Sequence, residues 1–270
     1  MKVLWIYAHP EPRSLNGSLR DEGIATLREL GHDVRQSDLH AMAWNPVVSP
    51  DDFTAHTDER LVVGEAQERA HATGTLSADI RAEQEKVEWA DALVVQFPLW
   101  WFGMPAILKG WFDRVFTQGF AFGVANPETG RQRRYGDNTL YGKRAMVITT
   151  FGARAASMGP RGIHGDIDDL LFPLHHGILW YSGIAALEPF VVDGTARFGD
   201  TEYALHVKRL RERLENLDGD PAIAYRHQEG GDYDADLTLR HDIATSQYGF
   251  EIHRTDRPVT HRDSVAPKQE

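Results

Sequence analysis

Between Phe97 and Phe116 the chain reads FPLWWFGMPAILKGWFDRVF, and its first third is suited to meeting a flat ring. Pro98 and Pro105 stiffen the segment, and Trp100, Trp101 and Phe102 lay a large apolar surface at its rim. Gly103 lets the backbone pass close to a ring with no side chain in the way. On a helix, a Trp pair would be read as core. In a loop that leaves a buried strand, the same pair points to a planar ligand. A second site of chemistry follows the first apolar run, where HPEPRSLNGS holds His9, Ser14, Leu15 and Asn16. Unpaired backbone N–H groups at a helix start there would suit a phosphate, and Ser14 would serve equally as a plain helix cap. The spacing matches neither GxxxxGK[ST] nor GxGxxG, so neither a Walker loop nor a dinucleotide fingerprint is present.

The elements that must position these loops follow from periodicity. Val3 to Ala8 reads as a strand buried on both faces, Leu15 to Leu30 as a helix stopped by Gly31, and His32 to Ser37 as a second strand. Trp44 to Gly74 reads as a long connection with a helical piece at Asp58 to His71, then Ser77 to Trp89 as a helix and Ala92 to Phe97 as the third strand. Pro105 to Phe116 is a helix with proline just inside its start, and Val124 to Leu140 is a polar excursion. Arg144 to Thr150 is the fourth strand, Ile163 to Tyr181 a helix, Ala185 to Val192 the fifth strand and Thr201 to Leu217 an amphipathic helix. This alternation predicts an α/β fold, a doubly wound five-stranded parallel sheet of order 2-1-3-4-5, with its ligand beyond the carboxyl ends of strands one, three and four. From Asp218 to Glu270 periodicity fades. Tyr225, Tyr233, Leu237, Leu239, Tyr248 and Phe250 nonetheless make an extension apolar enough to wrap over its own domain or a second subunit, with fraying expected beyond Arg254.

Composition narrows the function. Twenty-nine basic against 40 acidic residues give a formal charge of -11, which argues against nucleic acid or an anionic membrane as partner. With no cysteine, redox chemistry has to come from a bound cofactor. The start MKVLWIYAHPEP lacks a signal-peptide pattern, and the most apolar later stretch, Ala92 to Leu108, is broken by Gln96, Pro98, Gly103 and Pro105; a cytoplasmic protein is expected. The adjacent His175 and His176 point about 100° apart on a helix and chelate poorly together, so no metal is assigned.

Four motifs in order, FPLWWFGMPAILKGWFDRVF, ITTFG at Ile148 to Gly152, GIHGD at Gly162 to Asp166 and RLENL at Arg213 to Leu217, carry a resemblance. Over Met1 to Leu217 the chain resembles the NAD(P)H:quinone oxidoreductases of the DT-diaphorase type, in the flavodoxin-like quinone reductase superfamily. The resemblance implies a flavodoxin-like catalytic domain at residues 1–217 with an extension at 218–270. It further implies FAD rather than FMN, NAD(P)H as co-substrate, a quinone-like acceptor, a homodimer with shared active sites, and a ping-pong cycle of two hydride transfers.

By position, His9, Ser14, Leu15 and Asn16 would hold the phosphates and adenine side of FAD. Pro98, Leu99, Trp100, Trp101 and Phe102 would lie along the isoalloxazine, and Thr149, Thr150, Phe151 and Gly152 at its pyrimidine end. His164 would be the catalytic residue, stabilising charge that develops on the flavin N1 and O2 side. The family pairs that histidine with a tyrosine. Here Met158 stands at the tyrosine's place, Phe151 to Ile163 contains no Tyr, and Arg154 or Arg161 is offered as the replacement cation. Trp101, Phe102, Phe122, Val124 and Tyr181 would line the acceptor pocket, with the insertion Val124 to Tyr141 above it. Further departures from the family pattern are Leu15 for an aromatic residue, Trp100 for Gln and Phe151 for Gly. Other readings of the same fold are a one-electron carrier, a regulatory flavoprotein subunit, or a reductase of nitro, azo or biosynthetic substrates.

Overall fold

In the computed structural model, which describes residues 1–55 and 60–255, the sheet is parallel throughout. Its strands are β1 (Lys2–Tyr7), β2 (Asp33–Asp38), β3 (Ala92–Pro98), β4 (Arg144–Thr150), β5 (Ala185–Ala186) and β6 (Phe190–Val192). The order is β2-β1-β3-β4-β5, with β6 also on β4. The chain therefore has the α/β order expected from its periodicity. β3 and β4 are buried along their whole length, as two-sided cover by helices demands. The helices are α1 (Leu15–Glu29), α2 (Val63–Thr73), α3 (Ala78–Trp89), α4 (Ala106–Val115), α5 (Ile167–Leu174) and α6 (Asp200–Glu215). One apolar cluster packs α3, α4 and α5 against one face of the sheet, and a second packs α1 and α6 against the other.

The expected fifth strand is split. β5 and β6 both pair with β4; the Leu187 N–H still donates to the Ala145 carbonyl at 2.8 Å, and the ladder breaks at Pro189, which has no N–H to donate. The expected helix at Ile163 to Tyr181 begins only at Ile167, where Asp166 caps it by accepting from the Asp168 N–H at 3.0 Å. It changes to a π-helix over His175–Trp180 after Pro173, which removes one rung of the α-helical ladder. His164 thus sits in a turn ahead of the helix. Pro105 takes the position before α4, one residue outside the expected place.

In the long connection after β2, α2 covers most of the expected helical piece; Asp58 and Glu59 lie outside the described residues. Periodicity could not show what anchors this connection. Arg114 of α4, 4% exposed, pairs with Asp52 at 2.7 Å and Asp79 at 2.8 Å. The extension after Leu217 returns over its own chain: Ala222 bridges Leu187, and Arg144 donates to the carbonyls of Asp218 and Asp220. Tyr225 is fully buried, whereas Leu237, Tyr248 and Phe250 stay exposed. Of the segment expected to fray beyond Arg254, Thr255 is held by its N–H donating to the Ala224 carbonyl at 2.7 Å, and residues 256–270 lie outside the described residues.

Candidate active site

Three loops meet at the carboxyl edge of the sheet. The first leaves β1. Ser14 caps α1, its hydroxyl accepting from the Gly17 N–H at 3.1 Å and donating to the Glu11 carbonyl at 2.7 Å. The capping role raised from the sequence is thus filled. Leu15 and Asn16 keep their backbone N–H groups unpaired among the described residues, as the first turn of a helix must unless a ligand or water meets them. His9 Nδ1 lies 3.1 Å from the Glu11 N–H, the Glu11 carbonyl and Ser14 Oγ, so its bonds stay within the loop and Nε2 is the ring nitrogen left for a ligand. Partial burial holds its pKa below the ordinary histidine value. Gly17 escaped the sequence reading: a Cβ there would lie 1.8 Å from the Pro12 carbonyl oxygen, so only glycine lets the loop fold over the helix start.

The second loop leaves β3 as a two-residue hairpin. Trp100 and Gly103 exchange N–H···O bonds at 3.0 Å in both directions, and the residues between them, Trp101 and Phe102, have φ of 49° and 61°. A hairpin with two positive φ angles is the type normally filled by Asn-Gly. Bulky residues hold that backbone only at an energetic cost, a pattern concentrated at functional sites. The turn lifts both rings out of the sheet edge: Trp101 is 97% exposed, Phe102 48% and Trp100 46%. Leu99 is half-buried and Pro98 buried beneath them.

The third loop follows β4. Thr149, Thr150 and Phe151 are buried, and only Gly152 of that group presents exposed backbone. His164 is exposed, with its ring centroid 5.8 Å from that of Phe102 and its N–H donating to the Ser157 carbonyl at 3.1 Å. Met158 is buried, and Arg154 and Arg161 are exposed without an ion pair among the described residues.

A buried hydrogen-bond chain locks the three loops together. Trp5 Nε1 donates to Gln96 Oε1 at 2.9 Å, Gln96 Nε2 to the Asn16 carbonyl at 2.8 Å, and Asn16 Nδ2 to Thr150 Oγ1 at 2.8 Å. Gln96 had registered in the sequence only as a polar break in an apolar run. A fully buried amide in a central strand was the available signal, since burial obliges it to find partners.

The structure therefore brings His9 to Trp100 (ring centroids 6.3 Å apart), Asn16 to Thr150, and His164 to Phe102. Phe122 and Tyr181 pack together with no ring contact to Trp101 or Phe102 among the described residues. Phe122 and Tyr181, 6.5 Å apart, line a cleft of about 320 Å³ with Phe116 and Ile178, and Val124 is not among the residues that line it. No group of three or more His, Cys, Asp or Glu among the described residues is placed to hold a metal ion. No helix among them is long and apolar enough to cross a membrane.

The donor set fits a flavin. Unpaired N–H groups at Leu15 and Asn16 and the neighbouring His9 imidazole suit its phosphate, and the raised aromatic turn suits its flat ring.

This combination of fold and site defines the class: the chain belongs to the family described as flavodoxin-like fold, whose profile matches residues 1–217. Within it, the chain is 43% identical over 268 residues to a ribosyldihydronicotinamide dehydrogenase-like protein of Penicillium crustosum, covering 96% of this chain and 98% of that protein. It is 34% identical over 270 residues to NAD(P)H dehydrogenase [quinone] 1 of Cavia porcellus, covering 96% of this chain and 94% of the relative. The solved structure of a candidate quinone reductase from Klebsiella pneumoniae superposes with a TM-score of 0.91 at 47% identity, covering 94% of this chain and 100% of that one.

Proposed function

We propose that this chain is a flavin-dependent NAD(P)H dehydrogenase that reduces quinone-like acceptors by two-electron hydride transfer in a ping-pong cycle. The observation that carries the reading is the strained Trp101–Phe102 turn beside His164, an exposed flat surface at the ligand edge of the sheet. Relatives named as quinone and ribosyldihydronicotinamide dehydrogenases support it over most of their length.

The cofactor is FAD on this reading, and when bound it supplies the centre that takes and gives the hydride. The chain binds and orients it. His9 Nε2 and the N–H groups of Leu15 and Asn16 donate to phosphate, with Ser14 holding the helix start in place. Trp100, Trp101 and Phe102, backed by Pro98 and Leu99, exclude water from one face of the site. Thr149 to Gly152 close its far end. His164 presents its exposed imidazole next to Phe102, and Arg154 or Arg161 supplies positive charge on the same loop where the family has a tyrosine. Phe122 and Tyr181 wall the acceptor. The cleft that Phe122 and Tyr181 line has none of Trp100, Trp101 and Phe102 in its wall, which supports a homodimer in which each subunit completes the other's pocket. On this reading the protein is cytoplasmic, and its acidic charge of -11 argues against nucleic-acid or anionic membrane partners.

The test is to extract and identify the flavin, then follow its anaerobic bleaching by NADH, NADPH and dihydronicotinamide riboside and its reoxidation by a quinone panel. Bleaching by a dihydronicotinamide followed by quinone reoxidation is expected. A flavin that no dihydronicotinamide bleaches would identify a one-electron carrier instead.

A further inference from the structure

The extension after Leu217 reaches the acceptor cleft through a column of rings. Its short 3-10 turn, Gly249–His253, lays Phe250 on Phe172 of α5 with centroids 4.2 Å apart and planes 8° from parallel. Phe172 also stacks on His176, one turn later, at 4.5 Å and 16°. Phe250 makes no ring contact with His176 among the described residues, so the two occupy opposite faces of Phe172. His176 then stacks on Tyr135 of the insertion at 4.8 Å and 25°, and Tyr135 meets Tyr181 edge-on at 5.1 Å and 83°. Beside the column, Arg254 closes on Asp168 at 3.2 Å.

The inner end of this column is clamped. Tyr135 has φ of 46°, a backbone state that a bulky residue keeps only when its surroundings hold it. The holding bonds run to the residues that end the π-helix: Tyr135 N–H to the Tyr181 carbonyl at 3.3 Å, Gly136 N–H to Trp180 at 2.9 Å, and Asn138 Nδ2 to the Tyr181 carbonyl at 2.9 Å. Offset stacked rings leave one another little freedom to tilt, so a shift at Phe172 is passed along the column. Burial holds the His176 imidazole neutral at neutral pH, so no charge disturbs the stack. The outer end differs, because Phe250 is 45% exposed and is held by its stack on Phe172.

We propose that the C-terminal extension is a positioning element for the acceptor site: Phe250, through Phe172, His176 and Tyr135, fixes the ring of Tyr181 and so sets which acceptors fit the cleft. This rests on the reading of Tyr181 as an acceptor wall. The residues concerned are positioning residues, since Phe250 touches neither flavin nor acceptor on this reading.

The experiment uses the full-length, flavin-loaded protein with Phe250→Leu, Phe250→Tyr and Tyr181→Ala. For each, KM and kcat are measured with 1,4-benzoquinone and with 2-methyl-1,4-naphthoquinone, and the rate of flavin reduction by NADH is measured by stopped flow. Phe250→Leu is expected to raise KM for the two-ring quinone about fivefold, the scale of one lost aromatic pair, and to change the one-ring KM less than twofold. Flavin reduction should be unchanged and Phe250→Tyr should restore the parent values. If Tyr181→Ala shifts the naphthoquinone KM but Phe250→Leu does not, the positioning role is refuted while the acceptor wall stands. If Tyr181→Ala changes neither KM, the reading of the wall fails and the proposal falls with it. Equal KM shifts for both quinones, with slower flavin reduction, would reduce the extension to a general stabiliser and overturn the proposal.

Discussion

Replacing Trp101 and Phe102 together by Asn and Gly should make the flavin-free protein more stable and the flavin complex much weaker. Both rings sit at positive φ, and Trp101, 97% exposed, has almost no packing in the free chain to offset that conformation. A left-handed backbone costs a residue with a side chain roughly 1–2 kcal/mol, and Asn-Gly is the pair that such a turn prefers. Allowing about 0.5–1 kcal/mol for the added glycine's unfolded-state freedom leaves a gain of about 2 kcal/mol. For a chain of this size that is roughly 4–8 °C in Tm. The bound state changes in the opposite direction. The two rings offer on the order of 100 Å² of flat surface to a ligand, worth about 2.5 kcal/mol at 25 cal/mol per Å², or nearly a hundredfold in flavin Kd. Thermal unfolding of the flavin-free protein and fluorescence titration with FAD read the two quantities separately. A flavin-free double variant that melts below the parent would refute the strain argument, and an unchanged Kd would show that the turn is not the ring's seat.

Three further outcomes follow from other parts of the molecule. His164→Gln should slow flavin reduction by NADH roughly 10- to 100-fold with little change in melting temperature, because the ring is exposed; stopped-flow bleaching checks it. His175, fully buried with neither ring nitrogen hydrogen-bonded among the described residues, is pushed down to about 3 by burial and then by the nearby Arg254 charge, and His176 to about 4 by burial and then by His253. Since the unfolded chain takes up these protons near pH 6.5, stability should fall by roughly 1.4 kcal/mol per pH unit for each histidine. The fall runs from about 6.5 to about 4 for His176 and to about 3 for His175. Urea titrations across that range should show a shallower slope for His175→Phe. Asp52→Ala should cost roughly 1–3 kcal/mol, because it removes the buried partner of Arg114 and leaves Asp79 as its remaining carboxylate, and a loss under about 0.5 kcal/mol in denaturant melts would contradict the burial of that pair.

The order of elements was legible in the residues because it is written in local periodicity. The runs at Val3 to Ala8, Ala92 to Phe97 and Arg144 to Thr150 are too apolar and too short for anything but two-sided buried strands, and all three lie in the sheet within a residue of their expected bounds. The break between β5 and β6 was less legible, although Pro189 supplied its cause. The late start of α5 hangs on an Asp166 cap that competes with an apolar pattern running back to Ile163.

For the site, the sequence determined the residue types and the loops on which they fall: a flat apolar group after the third strand, a helix start after the first, and an imidazole before α5. These are local choices, each with its own steric or capping signature. Only the tertiary structure decided how they meet. Asn16 and Thr150 are 134 positions apart, and nothing local to either foretells the hydrogen bond that joins them. The same holds for Gln96 between Trp5 and Asn16, for Phe250 on Phe172, and for Trp101 and Phe102, whose positive φ angles no propensity would assign. Side-chain satisfaction and backbone strain are properties of the packed whole, because a buried amide takes whichever partner the fold brings to it and a strained turn persists only where the surrounding structure holds it.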